Sequence, residues 1–65
     1  MRIKYFPDTD TAHIEFTQNE VFETKEINEN IYIDLDKDGN LVNMTIEHAK
    51  AKVGLTEFSY QEIAT

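Results

Sequence analysis

The chain has 65 residues, 6 Lys plus Arg against 13 Asp plus Glu, a formal net charge of −7 and no Cys. A chain this short buries only about 60% of its unfolded surface, so it has room for a single small domain, residues 1–65, with a core that needs support. Without Cys there is no disulfide, thiolate metal site or thiol catalysis, and the acidic balance disfavours nucleic acid and anionic membranes while suiting a basic protein partner.

Taken in order, Arg2 to Phe6 alternates, with Ile3 and Tyr5 on one face and Arg2, Lys4 and Phe6 on the other, which predicts a first strand. Pro7-Asp8-Thr9-Asp10 turns the chain, since Pro fixes φ and Asp hydrogen-bonds its own backbone. A second strand follows. Ala12, Ile14 and Phe16 point one way, and Thr11, His13, Glu15 and Thr17 the other. Gln18-Asn19-Glu20 makes a turn before an acidic, weakly alternating third strand from Val21 to Ile27. Asn28-Glu29-Asn30 breaks it, and Ile31, Ile33 and Leu35 alternate with Tyr32 and Asp34 as a fourth strand. Asp36-Lys37-Asp38-Gly39-Asn40 is the strongest turn signal, because Asp-Gly accepts the positive φ of a tight hairpin.

The fifth strand runs from Leu41 to about Glu47, with Val42, Met44 and Ile46 inward. From Glu47 to Val53, Ala and Lys residues followed by Gly54 predict a short helix with a C-cap. Leu55 to Ile63 is ambiguous: Phe58 and Tyr60 fit an edge strand and Ser59 a last cap, and an extended segment is the expectation. The predicted class is therefore α+β, an antiparallel meander of about five strands with one short C-terminal helix packed on one face. Apolar runs of two or three residues, such as Leu41-Val42, predict neither a membrane span nor a signal-peptide core, which points to the cytoplasm.

Asp34 to Asn40 matches the first half of a calcium loop, with oxygens at alternate positions and Gly at the bend. The second half fails, since Thr45 stands where a bidentate Glu belongs and Glu47 comes too late. A hairpin turn rich in Asp is the expected reading, with no metal and no cofactor, and a weak calcium or other ligand site is the alternative. His13 and His48 are the two histidines of the chain, but their spacing points to no zinc or acid–base site. Without an activated nucleophile or a Gly-rich phosphate loop, the chain reads as no enzyme.

Phe6, Phe22 and Tyr32 fall opposite the main apolar set, predicting an aromatic patch on the sheet surface that the helix leaves open; a register one residue off would make them core instead. With the carboxylates Glu15, Glu23 and Glu26 around them, they are the candidate interface, and an exposed edge strand is a second route to association.

Tyr5-Phe6-Pro7-Asp8-Thr9-Asp10-Thr11-Ala12-His13-Ile14, the run Ile31 to Val42, and Ile46-Glu47-His48-Ala49 together resemble the small prokaryotic domain of unknown function 2283 family over about the first fifty residues. At Ala12 and His13 the chain departs from the larger apolar residue and aromatic usual in that family. The resemblance implies no catalytic residues. It does imply an antitoxin-like role, because such domains are often encoded beside small, basic ribonuclease-like toxins. The expected function is thus an interaction module that pairs with itself as a homodimer or with a small basic protein.

Overall fold

The computed structural model describes every residue except Phe58 and Thr65. Five antiparallel strands form one sheet: β1 (Arg2–Phe6), β2 (Thr11–Glu15), β3 (Glu23–Asn28), β4 (Ile31–Leu35) and β5 (Leu41–Glu47). Their spatial order is β1-β2-β5-β4-β3. This corrects the simple meander, because β2 lies beside β5 and the connection after β2 crosses the end of the sheet to reach β3 at the far edge. Three hairpin-linked strands, β3-β4-β5, of which the last returns beside β2, make a Greek-key arrangement. The crossing is tied down where it starts and ends, by the Phe16 N–H on the Val42 carbonyl (2.8 Å) and the Phe22 N–H on the Leu35 carbonyl (2.8 Å).

The α+β expectation is also corrected: the fold is all-β, with no helix among the described residues. Where Glu47–Val53 was expected to be helical, there is a single turn, closed by the Lys52 N–H on the His48 carbonyl at 2.8 Å. His48 at φ 55 and Gly54 at φ 77 bracket it, both in the left-handed region, and so few residues cannot meet the nucleation cost of a helix. The third strand begins two residues later than predicted, at Glu23, because Val21 and Phe22 belong to the crossing. Past Gly54, residues 55–57 and 59–64 lie in neither helix nor strand. The edge strand proposed around Phe58 falls partly outside the described residues.

Register sorts the side chains into two faces, since directly opposed residues of antiparallel strands point the same way. One apolar row is Tyr5, Ala12, Ile46 and Ile31; the next is Ile3, Ile14, Met44 and Ile33. The opposite face carries Lys4, His13, Thr45, Tyr32 and Glu26 in one row and Arg2, Glu15, Asn43, Asp34 and Thr24 in the next. The inward set of β5 is as expected, with Val42 and Ile46 buried. A register shift leaves Val42 as the extra residue opposite Asp34 and Leu35, and its side chain is buried, 1% exposed. A second shift leaves Ile27 unpaired on edge strand β3, where it is exposed.

The core is small. Ala12, Val42, Ile46 and Ala49 are the buried apolar residues among those described. Ala49, from the turn after β5, sits on Ala12 and Ile46, with Tyr5, Ile14, Ile31, Met44 and Leu55 packed around them. The turn therefore lies over the first apolar row, while the second row packs only against its edge.

Candidate functional site

Asp10 fixes that cover. Its φ of 56 is one that Asp tolerates better than most residues, and it aims the carboxylate at the turn after β5. Oδ1 accepts the Tyr5 hydroxyl (2.7 Å) and the Lys50 N–H (3.0 Å), and Oδ2 accepts the Ala51 N–H (3.1 Å). The Asp10 carbonyl takes the Ala49 N–H at 2.8 Å, and the Lys50 ammonium stands 4.8 Å above the Tyr5 ring. The Lys50 N–H and the Tyr5 hydroxyl, more than the Ala51 N–H and the charge of His48, hold the Asp10 carboxyl below its usual 3.8. The same bond to Asp10 raises the Tyr5 phenol.

Asp36 does the equivalent work at the opposite end. Oδ1 accepts the N–H groups of Asp38 and Asn40 (both 2.9 Å), and Oδ2 accepts the side-chain amides of Asn19 (3.0 Å) and Asn40 (3.2 Å). This shapes the β4–β5 turn, where Gly39 at φ 83 supplies the bend, and ties it to the crossing that carries Asn19. The Asn40 N–H leads in lowering the Asp36 carboxyl, against the opposing effect of its burial.

Both carboxyls are depressed in the folded state, so the stability they contribute is present above their unfolded value near 3.8 and is lost as pH falls through the folded values. Relief of the net negative charge acts in the other direction only down to the sequence pI of 4.5. Urea midpoints are expected to hold from neutral pH to about that point and then to fall below pH 3.8. Asp36→Asn lowers the midpoint at neutral pH and makes the acid limb shallower, and an unchanged limb would contradict the assignment.

The six residues singled out as an interface do not converge. Phe6 is on the outer face at the β1–β2 turn end, in the row of Thr11 and Glu47, and 48% exposed. Tyr32 is on the same face but on β4, three strands away, its hydroxyl 3.4 Å from Glu26 Oε1. Burial, ahead of the charges of Glu26 and Glu47, raises its phenol. Phe22, 76% exposed, lies in the crossing at the other end of the sheet. Glu15 pairs with Lys4 on the outer face (3.3 Å), and Glu23 with Lys25 on the β3 edge (3.9 Å), pairs exposed enough to contribute little stability. Glu15, Glu26, Asp34 and Glu47 instead spread across the outer face, and Asp34 is held there by Thr24 (2.7 Å) and Asn43 (3.2 Å).

A shallow groove of about 450 Å³ lies between Asn19–Phe22 of the crossing and Asp36–Asp38 of the turn. Neither histidine reaches it. His13 Nδ1 is 3.2 Å from Thr45 Oγ1 in the middle of the outer face, and His48 Nδ1 is 3.2 Å from Asn30 Oδ1 at the other end of the sheet. The groove thus offers carboxylates and no paired base or nucleophile.

The feature that composition alone does not single out is the second apolar row. Ile14, Met44 and Ile33 are only half-buried and Ile3 is 38% exposed, with Ile14 and Met44 packed against the edge of the Ala12, Ile46 and Ala49 cluster. Phe16, just past the end of β2, is 37% exposed. Hydrophobic alternation shows that such residues share a face but not whether another layer covers it.

The family model for Protein of unknown function (DUF2283) matches residues 2–50. The chain belongs to this family. The match takes in all five strands, Asp10, the Asp36 turn and Ala49, and ends at Lys50, one residue short of the Ala51 N–H that Asp10 also holds. Residues 51–65 lie beyond the match. No curated protein and no solved structure matches the chain. Among the described residues no helix is long and apolar enough to cross a membrane.

Proposed function

We propose that this chain is a non-catalytic protein-interaction module whose principal contact surface is the apolar sheet face. The uncovered row Ile3, Ile14, Met44 and Ile33 supports this, because a sheet normally buries its apolar face against a second layer. The polar outer face, with its hydrogen-bonded rows, is suited to water. Native mass of the tagged chain, isolated gently from its own host, is expected to exceed the 7.6 kDa chain mass with components in fixed ratio. A chain at its own mass at every concentration, with nothing bound, would overturn the proposal.

A second contact, with a small basic protein of the ribonuclease-toxin kind, draws support from the charge of −7 and from Glu15, Glu26, Asp34 and Glu47 facing outward together. Contacts of that kind weaken steeply with salt, and reversing Glu26 and Glu47 to Lys would slow association with such a partner. Occlusion of the toxin's cationic surface would be the mechanism.

A calcium function at the Asp34–Asp38 turn draws less support from the geometry. All four contacts of Asp36 are N–H donors, so its oxygens face donors where a cation needs free lone pairs, and Asp34 points to the outer face. Millimolar calcium is expected to leave the amide resonances of Asp36, Asp38 and Asn40 in place. A saturable shift confined to those three would establish the site.

A further inference from the structure

We infer that the apolar face is closed by a second copy of this chain, two sheets stacking as a β-sandwich with their acidic faces outward. This rests on the interaction reading above and names its partner.

The shape of the chain is that of half a domain. Its Cα extents are 34 × 33 × 18 Å and its radius of gyration is 12.9 Å, against roughly 10.7 Å for a compact domain of this length. Its accessible surface is 5189 Å², whereas a folded monomer of this mass exposes roughly 4,300 Å². The excess of roughly 900 Å² is close to the roughly 800 Å² that each partner buries in a standard stable interface. Exposed apolar residues contribute to it, Ile3 at 38% in the second row and, after Leu55, Tyr60 at 79% and Ile63 at 73%.

Charge selects the occupant. A chain of net charge −7 can meet its own copy only through a surface free of net charge. The apolar face meets that condition: its rows are uncharged from β1 to β4, and on β3 the face carries Glu23 and Lys25, opposite in sign and 3.9 Å apart. The remaining strand carboxylates, Glu15, Glu26, Asp34 and Glu47, are on the other face and would stay in water, as far from the partner's as the two layers allow. A basic partner finds nothing to pair with on the neutral face, whereas an identical apolar patch is self-complementary about a twofold axis. Sheets that pack this way interdigitate about 10 Å apart.

The full chain, examined by sedimentation across a range of concentrations, is expected to run at twice its 7.6 kDa mass. In an equal mixture of labelled and unlabelled chains, the Met44 methyl should show contacts to Ile14 or Ile33 of the other copy. Ile3→Glu, at the partly exposed end of the row, should raise the dissociation constant at least about 100-fold, because it brings an unpaired charge into the interface. Lys4→Gln, its neighbour on the outer face, should change it less than about 3-fold. Amide dispersion reports whether Ile3→Glu has folded, and if it has not, the mixed-label contacts on the unaltered chain decide. A folded monomer at every concentration would overturn the inference, as would a dimer indifferent to Ile3→Glu or joined through β1 edges. In those cases the interaction reading survives if the chain from its host still carries a stoichiometric partner, and falls with the inference if it does not.

Discussion

Ile46→Ala is expected to leave the chain largely unfolded at room temperature. Ile46 lies where the layers meet: opposite Ala12 on one side and Ile31 on the other, with Ala49 above. Removing a buried Ile side chain down to Ala costs about 2–5 kcal/mol, with the larger values where neighbours cannot collapse into the space. Ala12 and Ala49 are already the smallest side chains available and are fully buried, so collapse is limited and about 3 kcal/mol is expected. Domains carry about 0.05–0.15 kcal/mol of stability per residue, so a chain of 65 holds about 3–10 kcal/mol, and with so small a core it sits near the low end, which this change removes. Urea titration of the variant beside Ile46→Val, expected to lose about 1 kcal/mol, checks the scale, and similar midpoints for the two would refute the packing argument.

Asp10→Ala is expected to release the covering turn while leaving much of the sheet paired. The carboxylate holds the Lys50 and Ala51 N–H groups and the Tyr5 hydroxyl, and these tether the only segment seen over the first apolar row among the described residues. Its loss should bring the Lys50, Ala51 and Leu55 amides to free-peptide exchange rates, whereas amides between β4 and β5 stay protected. Ala at a positive φ adds backbone strain of its own, so Asp10→Gly, which accepts that φ, separates the two effects. Equal exchange at Lys50 in Asp10→Gly and the unaltered chain would show that the carboxylate is not the tether.

Much of this fold can be read from the sequence because sheet alternation is local. Ile3 and Tyr5, Ala12 and Ile14, and Met44 and Ile46 advertise their shared face at a period of two. The Asp-Gly turn is equally plain, with its requirement for positive φ at Gly39. Which strands adjoin is a different matter: nothing local in Thr11–Glu15 says that its second neighbour is Leu41–Glu47, some thirty residues on. The helix expected after Glu47 was a propensity argument on Ala49, Ala51 and the lysines, overridden because His48 turns left-handed and Asp10 holds the next amides. Asp10 itself reads as a turn residue, since the backbone amides that it holds lie forty residues away and leave no mark on its neighbours. The aromatic trio failed to converge for a related reason, as face membership places Phe6 and Tyr32 on one side without bringing them near each other.

The crossing between β2 and β3 also shapes how the molecule is made. The β1–β2 hairpin leaves the ribosome first, but β2 finds its second neighbour only in β5. Until Leu41–Glu47 has been synthesised, the hairpin is a two-stranded ribbon with its apolar side uncovered, and such ribbons are barely stable in water. Folding must therefore wait for long-range pairing, which raises contact order and slows the search. A chain stalled or cut before β5 would present β2 as an unpaired edge, so damage there exposes an aggregation-prone fragment rather than a smaller working domain.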